Sequence, residues 1–191
     1  MKIIITLSLS IISLFSYSQK SENLFRLARL HYQNLEYDEA LIDVNEAINK
    51  SKKYYDAYLL RADIYYSLDD TAKSFLDLRK TIELFPSADR SYFLMGMIYY
   101  DHDEDGKALK SFSKATDLYQ NDAEYYYYKG ETALKLKNIK NACIAWNHGG
   151  NKLNDEDCLG KFELKCDGVD ITIPKDELPV RKSLKQLLNK Q

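Results

Sequence analysis

Small and large apolar residues recur in this chain every 34 residues, and this spacing restricts the fold more than any other feature. Two positions of the repeat hold small residues, namely Ala28, Ala62, Gly96, Gly130 and, further along, Ala40, Ser74, Ala108, Ala142. A third position holds the large residues Val44, Leu78, Phe112 and Trp146. Small residues let two antiparallel helices approach closely, and large ones fill the space between helix pairs. Because one pair cannot bury its apolar face alone, the pattern predicts a stack of helical hairpins.

Helix-breaking residues are scarce, which also favours an all-α chain. The 191 residues include only 7 Gly and 3 Pro, and 45% of them are hydrophobic, which is enough for the core of one domain. The periodicity predicts helices at residues 22–34, 38–50, 56–68, 71–84, 89–101, 105–118, 123–136 and 139–149. A further helix near 155–165 occupies the place of a fifth first helix.

The order of these residues resembles the tetratricopeptide repeat (TPR) family, whose pattern is W-x2-L-G-x2-Y, then A-x3-F, then P. The third repeat comes nearest to it, with Tyr92, Met95, Gly96, Tyr99, Ala108 and Phe112. Arg61 and Lys129 depart from it, because each replaces an apolar residue. The resemblance implies an all-α, right-handed superhelical solenoid of about four TPR hairpins within residues 19–154, at about 21–54, 55–88, 89–122 and 123–154. Residues 155–191 would form a capping helix and a C-terminal tail.

Four successive tyrosines in the sequence AEYYYYKGETALK, residues 123–135, cover nearly the whole circumference of a helix. Tyr126 falls at a large position between helices, so we expect it in the core. Tyr125 should lean towards the preceding hairpin, and Tyr128 should be partly buried. Tyr127 aligns with Phe25, Leu59 and Phe93.

In TPR proteins the first helix of each hairpin lines the concave surface. The row of Tyr127 and a second row, Tyr32, Tyr66 and Tyr100, would therefore form an aromatic groove, which we call the first-helix face. Around it six acids, Glu22, Asp56, Asp63, Asp101, Glu124 and Glu131, outnumber three bases, Arg29, Arg90 and Lys135. Tyr and Phe are typical binding anchors. The residues expected to bind a peptide are Phe25, Arg29, Tyr32, Leu59, Asp63, Tyr66, Phe93, Met97, Tyr100, Tyr127 and Glu131.

The function implied by the resemblance is a non-catalytic scaffold that binds a peptide or protein segment on the first-helix face. TPR co-chaperones hold the terminal carboxylate of a chaperone with Lys and Asn, but the matching positions here are Phe25, Arg29 and Asp63. A C-terminal chaperone tail is therefore not the expected ligand. Three alternatives stay open. The rows could serve packing alone, or the protein could be a structural subunit of an envelope or secretion assembly that acts through its convex face or its tail. The third is a hydrolase-like or small-molecule-binding protein, which would need a cluster of polar residues within 150–191, where none is recognisable.

Other function classes find little support in the sequence. With 27 basic and 29 acidic residues, the chain lacks the basic excess of a nucleic-acid binder. His31, His102 and His148 have no metal-ligand spacing, and the calcium-like stretch DHDEDG at 101–106 has Phe112 where a Glu ligand is needed. No nucleophile motif or phosphate-binding loop is recognisable. We expect neither an enzyme nor a bound cofactor or metal.

The N-terminal sequence predicts export. Lys2 precedes an uncharged, mostly apolar run from Ile3 to Phe15, and small residues at 16 and 18 precede Gln19 like a signal-peptidase site. Thirteen residues rise about 20 Å as a helix, too short for a ~30 Å hydrocarbon core. We expect a cleaved signal at 1–18, with an uncleaved anchor as the alternative, and no membrane span in the mature chain. Together with the resemblance, this suggests a periplasmic, envelope or secreted bacterial protein of the Bacteroidetes type.

Three cysteines and a basic tail lie late in the chain. The alignment favours a disulfide between Cys143 and Cys166, with Cys158 as an alternative partner and free thiols as the other possibility. In the tail, Arg181, Lys182, Lys185 and Lys190 occur without an acid, and Val180, Leu184, Leu187 and Leu188 have helical spacing. This pattern predicts a basic amphipathic helix that docks on the body of the protein or on a partner.

Overall fold

The computed structural model describes residues 19–138, 141–142, 144–146 and 148–149. This part of the chain is all-α and forms an ordered series of eight helices without a strand. They are α1 (19–33), α2 (Tyr37–Lys50), α3 (Tyr55–Ser67), α4 (Thr71–Leu84), α5 (Asp89–Asp101), α6 (Asp105–Leu118), α7 (Ala123–Lys135) and α8, which includes 141–142, 144–146 and 148–149. The bounds of α2 to α7 lie within one residue of those that the periodicity predicts.

Several sequence predictions fall outside the described residues. They are the signal peptide at 1–18, the capping helix near 155–165 and the basic tail. The cysteine predictions are in the same position, because Cys143, Cys158 and Cys166 are not among the described residues. All of them stay predictions.

Each helix packs against its neighbours in sequence, which gives the predicted solenoid of stacked hairpins. Helix α3 pairs with α4, and α5 pairs with α6, while contacts of α2 with α3, α4 with α5 and α6 with α7 join successive hairpins. The first hairpin is tied by a hydrogen bond from Ser21 Oγ on α1 to the Ala47 carbonyl on α2, 3.0 Å long. The odd-numbered helices are therefore the first helices of the hairpins, and the even-numbered ones are the second helices.

Close packing within a hairpin depends on the small residue of the first helix. A Cβ atom on Gly96 would lie 2.6 Å from the ring of Phe112, and one on Gly130 would lie 2.2 Å from Trp146 Nε1. The equivalent pairs in the first two hairpins are Ala28 with Val44 and Ala62 with Leu78, and all four side chains are fully buried. The small residue is thus Ala where its partner is Val or Leu and Gly where its partner is Phe or Trp, so the large ring takes the space that a Cβ atom would need.

One residue of every hairpin turn adopts the left-handed conformation. These residues are Leu35, Asp69, Asp103 and Lys137, with φ between 56° and 67°. They are 34 residues apart, so the turn is as regular as the helices. The stretch DHDEDG is accordingly the turn between α5 and α6, with Asp101 ending one helix and Asp105 beginning the next.

The charged residues at apolar repeat positions have polar partners. Arg61 donates from Nε and Nη2 to the two carboxylate oxygens of Asp77, both at 2.7 Å, and from Nη1 to Asn45 Oδ1 at 2.6 Å. Asp77 is only 6% exposed, so the two-point pairing offsets the cost of burying its charge. Lys129 donates to Thr116 Oγ1 at 3.1 Å. Both departures from the repeat pattern are therefore compatible with the fold.

The size match between Gly96 and Phe112 can be tested by a double-mutant cycle. Gly96→Ala should lower the free energy of unfolding by about 1–3 kcal/mol, because the buried ring of Phe112 must move. Phe112→Leu alone should cost on the order of 1 kcal/mol or more through the space that it leaves. The double variant reproduces the Ala62–Leu78 pair and should lose at least ~0.5 kcal/mol less than the sum.

Urea denaturation of the four proteins measures this coupling. Gly106→Ala is the matched control, because nothing lies within 4 Å of a Cβ at that position. It should leave stability unchanged or raise it by up to about 1 kcal/mol through helix propensity. Additive losses in the double variant would contradict the size-match explanation.

Candidate functional site

Side chains of the first helices connect each hairpin to the next along the first-helix face. Tyr32 Oη lies 3.4 Å from Ser67 Oγ, and Tyr66 Oη donates to Asp101 Oδ2 at 2.6 Å. The third contact differs in kind, because the ammonium of Lys135 lies 4.0 Å from the centre of the Tyr100 ring. Each contact joins a tyrosine to the residue 35 positions later, one beyond the repeat length. The tyrosine row is therefore held in place from helix to helix.

The four consecutive tyrosines of α7 point in different directions. Tyr126 is buried, and Tyr125 leans on the preceding hairpin, where its hydroxyl donates to Asp89 Oδ2 at 2.8 Å. Tyr128 is buried more deeply than the sequence suggests, because it packs against Phe112 and Tyr100. Only Tyr127 remains half-buried. The tract thus divides between the core and the first-helix face.

Two residues that the sequence assigns to the binding surface lie beneath it. Phe93 is 5% exposed and Met97 is 6% exposed, and both belong to the central core cluster. The ring of Tyr125 stacks on Phe93 with 4.6 Å between ring centres. Equivalent coverage is missing in the earlier hairpins, where Ala57 and Ser91 occupy the position of Tyr125. Phe93 and Met97 therefore support the surface but offer little area to a partner.

The remaining predicted residues are accessible to different degrees. Arg29 is exposed, and the half-buried ones are Phe25, Tyr32, Leu59, Asp63, Tyr66, Tyr100, Tyr127 and Glu131. Phe25 packs against Tyr54, with 5.0 Å between ring centres, and the Tyr54 hydroxyl donates to Glu22 Oε2 at 2.5 Å. Tyr54 precedes α3 and is a member of this surface that the alignment of first helices misses. In the sequence, only the nearby acid Asp56, which the alignment assigns to the first-helix face, indicates that Tyr54 belongs to this surface.

Two of the three bases on the first-helix face already have acidic partners. Arg90 Nη2 lies 3.4 Å from Asp63 Oδ1. Lys135 Nζ lies 3.2 Å from Asp103 Oδ1 and 3.5 Å from Asp105 Oδ1, two carboxylates of the neighbouring turn. Lys135 is thus paired with acids outside the set of six, and the surplus of negative charge on the first-helix face remains.

Four of the six carboxyl groups on this surface are disfavoured in their charged form. Burial raises the pKa of Asp63, and the nearby Arg90 offsets this shift only in part. Burial also raises the pKa of Asp56, with a further contribution from Glu22, and it raises the pKa of Glu124 with a contribution from Asp122. The pKa of Glu131 is raised by burial as well, although Lys135 lowers it. Such groups gain stabilisation from any additional positive charge.

Glu131 has the least satisfied carboxylate of the set. Its Oε1 atom is buried, and no donor in the described part of the chain forms a hydrogen bond with it. The pKa of Tyr127 is raised by burial and then by the charge of Glu131. A cation placed between these two side chains would relieve both effects.

Family profiles described as tetratricopeptide repeats match residues 56–88 and 89–122, which are the second and third hairpins. The protein is a tetratricopeptide repeat protein. No curated protein sequence matches the chain. Solved TPR structures are similar in fold only, because their sequence identities to this chain are low.

The crystal structure of MamA has a TM-score of 0.65 and 14% identity, covering 75% of this chain and 88% of MamA. The pilF protein of Pseudomonas aeruginosa has a TM-score of 0.68 and 14% identity, covering 75% of this chain and 66% of pilF. The first TPR of Spaghetti (RPAP3), bound to the HSP90 peptide SRMEEVD, has a TM-score of 0.60 and 20% identity. That match covers 63% of this chain and 95% of the RPAP3 chain.

The second helices of this TPR protein carry an exposed row of their own, which the alignment of first helices does not reveal. One repeat position of α2, α4 and α8 holds Ile42, Leu76 and Ile144, which are 67%, 65% and 45% exposed. Lys110 occupies the same position of α6. We call these four residues the second-helix row. Exposed aliphatic side chains thus recur at one position of three second helices, where a protein contact could bury them.

The described part contains no cluster of three or more His, Cys, Asp or Glu side chains arranged to hold a metal ion. None of the described helices is both long and apolar enough to cross a membrane.

The raised pKa of Glu131 predicts a pH-dependent effect of its removal. A carboxyl whose pKa is higher in the folded than in the unfolded state lowers stability above the folded pKa, and this penalty disappears below the unfolded pKa, near 4.3 for Glu. The difference in free energy of unfolding between Glu131→Gln and wild type should therefore be more positive at pH 7 than at about pH 3.5. Chemical denaturation at the two pH values measures it, with Glu39→Gln as the control for losing an exposed carboxylate. A difference that stays constant or reverses would contradict the assigned burial effect.

Proposed function

We propose that this TPR protein is a non-catalytic scaffold whose first-helix face binds a protein segment that carries lysine or arginine. TPR proteins act as protein-interaction scaffolds, and the RPAP3 domain was solved with a bound peptide. The observation that carries the proposal is the combination of half-buried tyrosines with a surplus of partly desolvated carboxylates. Tyrosine supplies contact area at low entropic cost, and the carboxylates supply selectivity for positive charge.

The net negative charge of the first-helix face disfavours an acidic ligand. The peptide SRMEEVD has two glutamates and an aspartate. Here the six acids against three bases would repel such a sequence and attract one of opposite charge. Phe25, Arg29 and Asp63 stand where a carboxylate clamp would require Lys and Asn. We therefore assign a basic partner rather than an acidic C-terminal tail.

The surroundings in which binding takes place are also part of the proposal. The apolar run from Ile3 to Phe15 supports action outside the cytoplasm, in the periplasm or cell envelope or as a secreted protein. An extract of the cell envelope is accordingly the first source in which to look for the partner.

A structural subunit of a larger assembly is the second candidate function. It is favoured by the second-helix row, where Ile42 and Leu76 expose about two thirds of their side chains. A contact through this row would leave the first-helix face unoccupied. The two functions therefore differ in which variants abolish binding.

Affinity capture with charge-neutral variants tests the proposal. The face variant Asp101→Asn/Glu124→Gln/Glu131→Gln removes three negative charges from the first-helix face. The control variant Asp38→Asn/Glu39→Gln/Glu83→Gln removes three from exposed sites on second helices. We expect a partner captured by wild type and control to bind the face variant at least about tenfold more weakly, since each of the three lost charge pairs is worth roughly 0.5–1 kcal/mol.

Two results would count against the binding site. One is equal capture by the face variant and the control, with both folded as judged by circular dichroism. The other is a partner lost only with Ile42→Ser/Leu76→Ser, which would transfer the function to the second-helix row.

A further inference from the structure

We infer that residues 178–191 of this same chain occupy the first-helix face when no partner is bound, an inference that rests on the proposed binding function of that face. The segment reads LPVRKSLKQLLNKQ and carries four positive charges without an acid. The face carries six acids and three bases, a net charge of −3. Charge complementarity thus matches the two parts of the molecule to each other.

The way in which this surface holds a lysine is visible at Lys135. Its ammonium lies over the ring of Tyr100 at 4.0 Å and near a carboxylate oxygen of Asp103 at 3.2 Å. A tyrosine ring beside a carboxylate can therefore hold a lysine ammonium group on this surface. Tyr66 and Asp101 form a second ring–carboxylate pair one repeat earlier, joined by a 2.6 Å hydrogen bond.

The apolar residues of the segment suit the rest of the surface. Val180, Leu184, Leu187 and Leu188 follow one another at helical spacing. A helix would therefore present an apolar stripe to half-buried rings such as Phe25 and Tyr32, with its basic side chains directed at the flanking acids. The second-helix row is a poorer match, because Lys110 lies within it and would repel the basic side chains.

The length of the connection permits the contact. Twenty-eight residues, 150–177, separate α8 from the segment. With the predicted helix at 155–165 rising 1.5 Å per residue and the other residues extended, they reach about 70–80 Å. Packed helices are about 8–10 Å apart, so the four first helices extend over a few tens of ångströms. A tethered segment has an effective concentration near the millimolar range. Even a weak contact would therefore be substantially populated, and a partner would have to displace it.

Hydrogen–deuterium exchange of residues 178–191 in the intact protein tests the inference. At low salt we expect their amides to exchange at least about fivefold more slowly than an unstructured peptide, since a contact that is bound for most of the time protects in that proportion. The face variant described above should restore the unstructured rate. The control variant and Ile42→Ser/Leu76→Ser should not.

The partner segment itself supplies a second arm. Lys182→Gln/Lys185→Gln/Lys190→Gln removes three charges from the segment and leaves the helical body untouched, so it should also restore the unstructured rate. Protection should not change between about 1 and 50 µM protein, because the contact lies within one molecule.

Several outcomes would overturn the inference. They are unstructured exchange in the wild type, protection that survives the face variant, protection lost with the second-helix row, or protection that grows with protein concentration. The last would mean that a second copy supplies the segment. None of these outcomes bears on capture of a separate partner by the first-helix face, so the proposed function can stand when this inference falls.

Discussion

Every hairpin of this protein depends on the close contact between a small residue in its first helix and a large one in its second. Gly96 with Phe112 and Gly130 with Trp146 leave no room for a Cβ atom. The pairs Ala28 with Val44 and Ala62 with Leu78 meet the same requirement with other volumes. Because each hairpin thus brings its two helices into close contact, the hairpins can stack as successive units.

The 34-residue repeat in turn aligns the side chains of the first-helix face. Residues 34 apart fall at equivalent places on successive first helices, and a tyrosine therefore reaches the residue that follows its own equivalent in the next repeat. The hydrogen bond from Tyr66 to Asp101 and the placement of Lys135 over Tyr100 both arise in this way. Contacts of this kind organise the proposed binding surface in advance, which would lower the entropic cost of binding a partner there. Its drawback is that Glu131 and Asp63 are partly removed from water with too little positive charge nearby.

Much of this arrangement is predictable from the sequence because the repeat fixes the register. The bounds of α2 to α7, the burial of Tyr126 and the contact of Tyr125 with the preceding hairpin all follow from aligning the four repeats, whereas α1 begins at residue 19, three residues before its predicted start. The alignment assigns Phe93 and Met97 to the accessible surface although both are buried, because it assumes that equivalent repeat positions are equally exposed. Tyr125 replaces the small residues Ala57 and Ser91 of the earlier repeats, and its ring covers Phe93.

Contacts between unlike positions lie beyond such an alignment. The pairing of Arg61 with Asp77 and Asn45 joins three helices, and no periodic pattern indicates it. Likewise, the charge imbalance of the first-helix face can be read from the sequence, but the burial that raises the pKa values of Asp56, Asp63, Glu124 and Glu131 cannot. The composition gives the sign of the surface charge, and the burial of each charged group determines how far its pKa is shifted.

Site-specific photo-crosslinking tests most directly whether the first helices carry the partner. A benzoylphenylalanine residue replaces the exposed Gln33 at the edge of the first-helix face, next to Tyr32, and in a separate protein it replaces Ile42 of the second-helix row. Both proteins are irradiated in cells that produce them. The account predicts a discrete adduct with another protein from position 33 and none from position 42. Adducts that form only from position 42 would contradict it and would assign the interaction to the second helices.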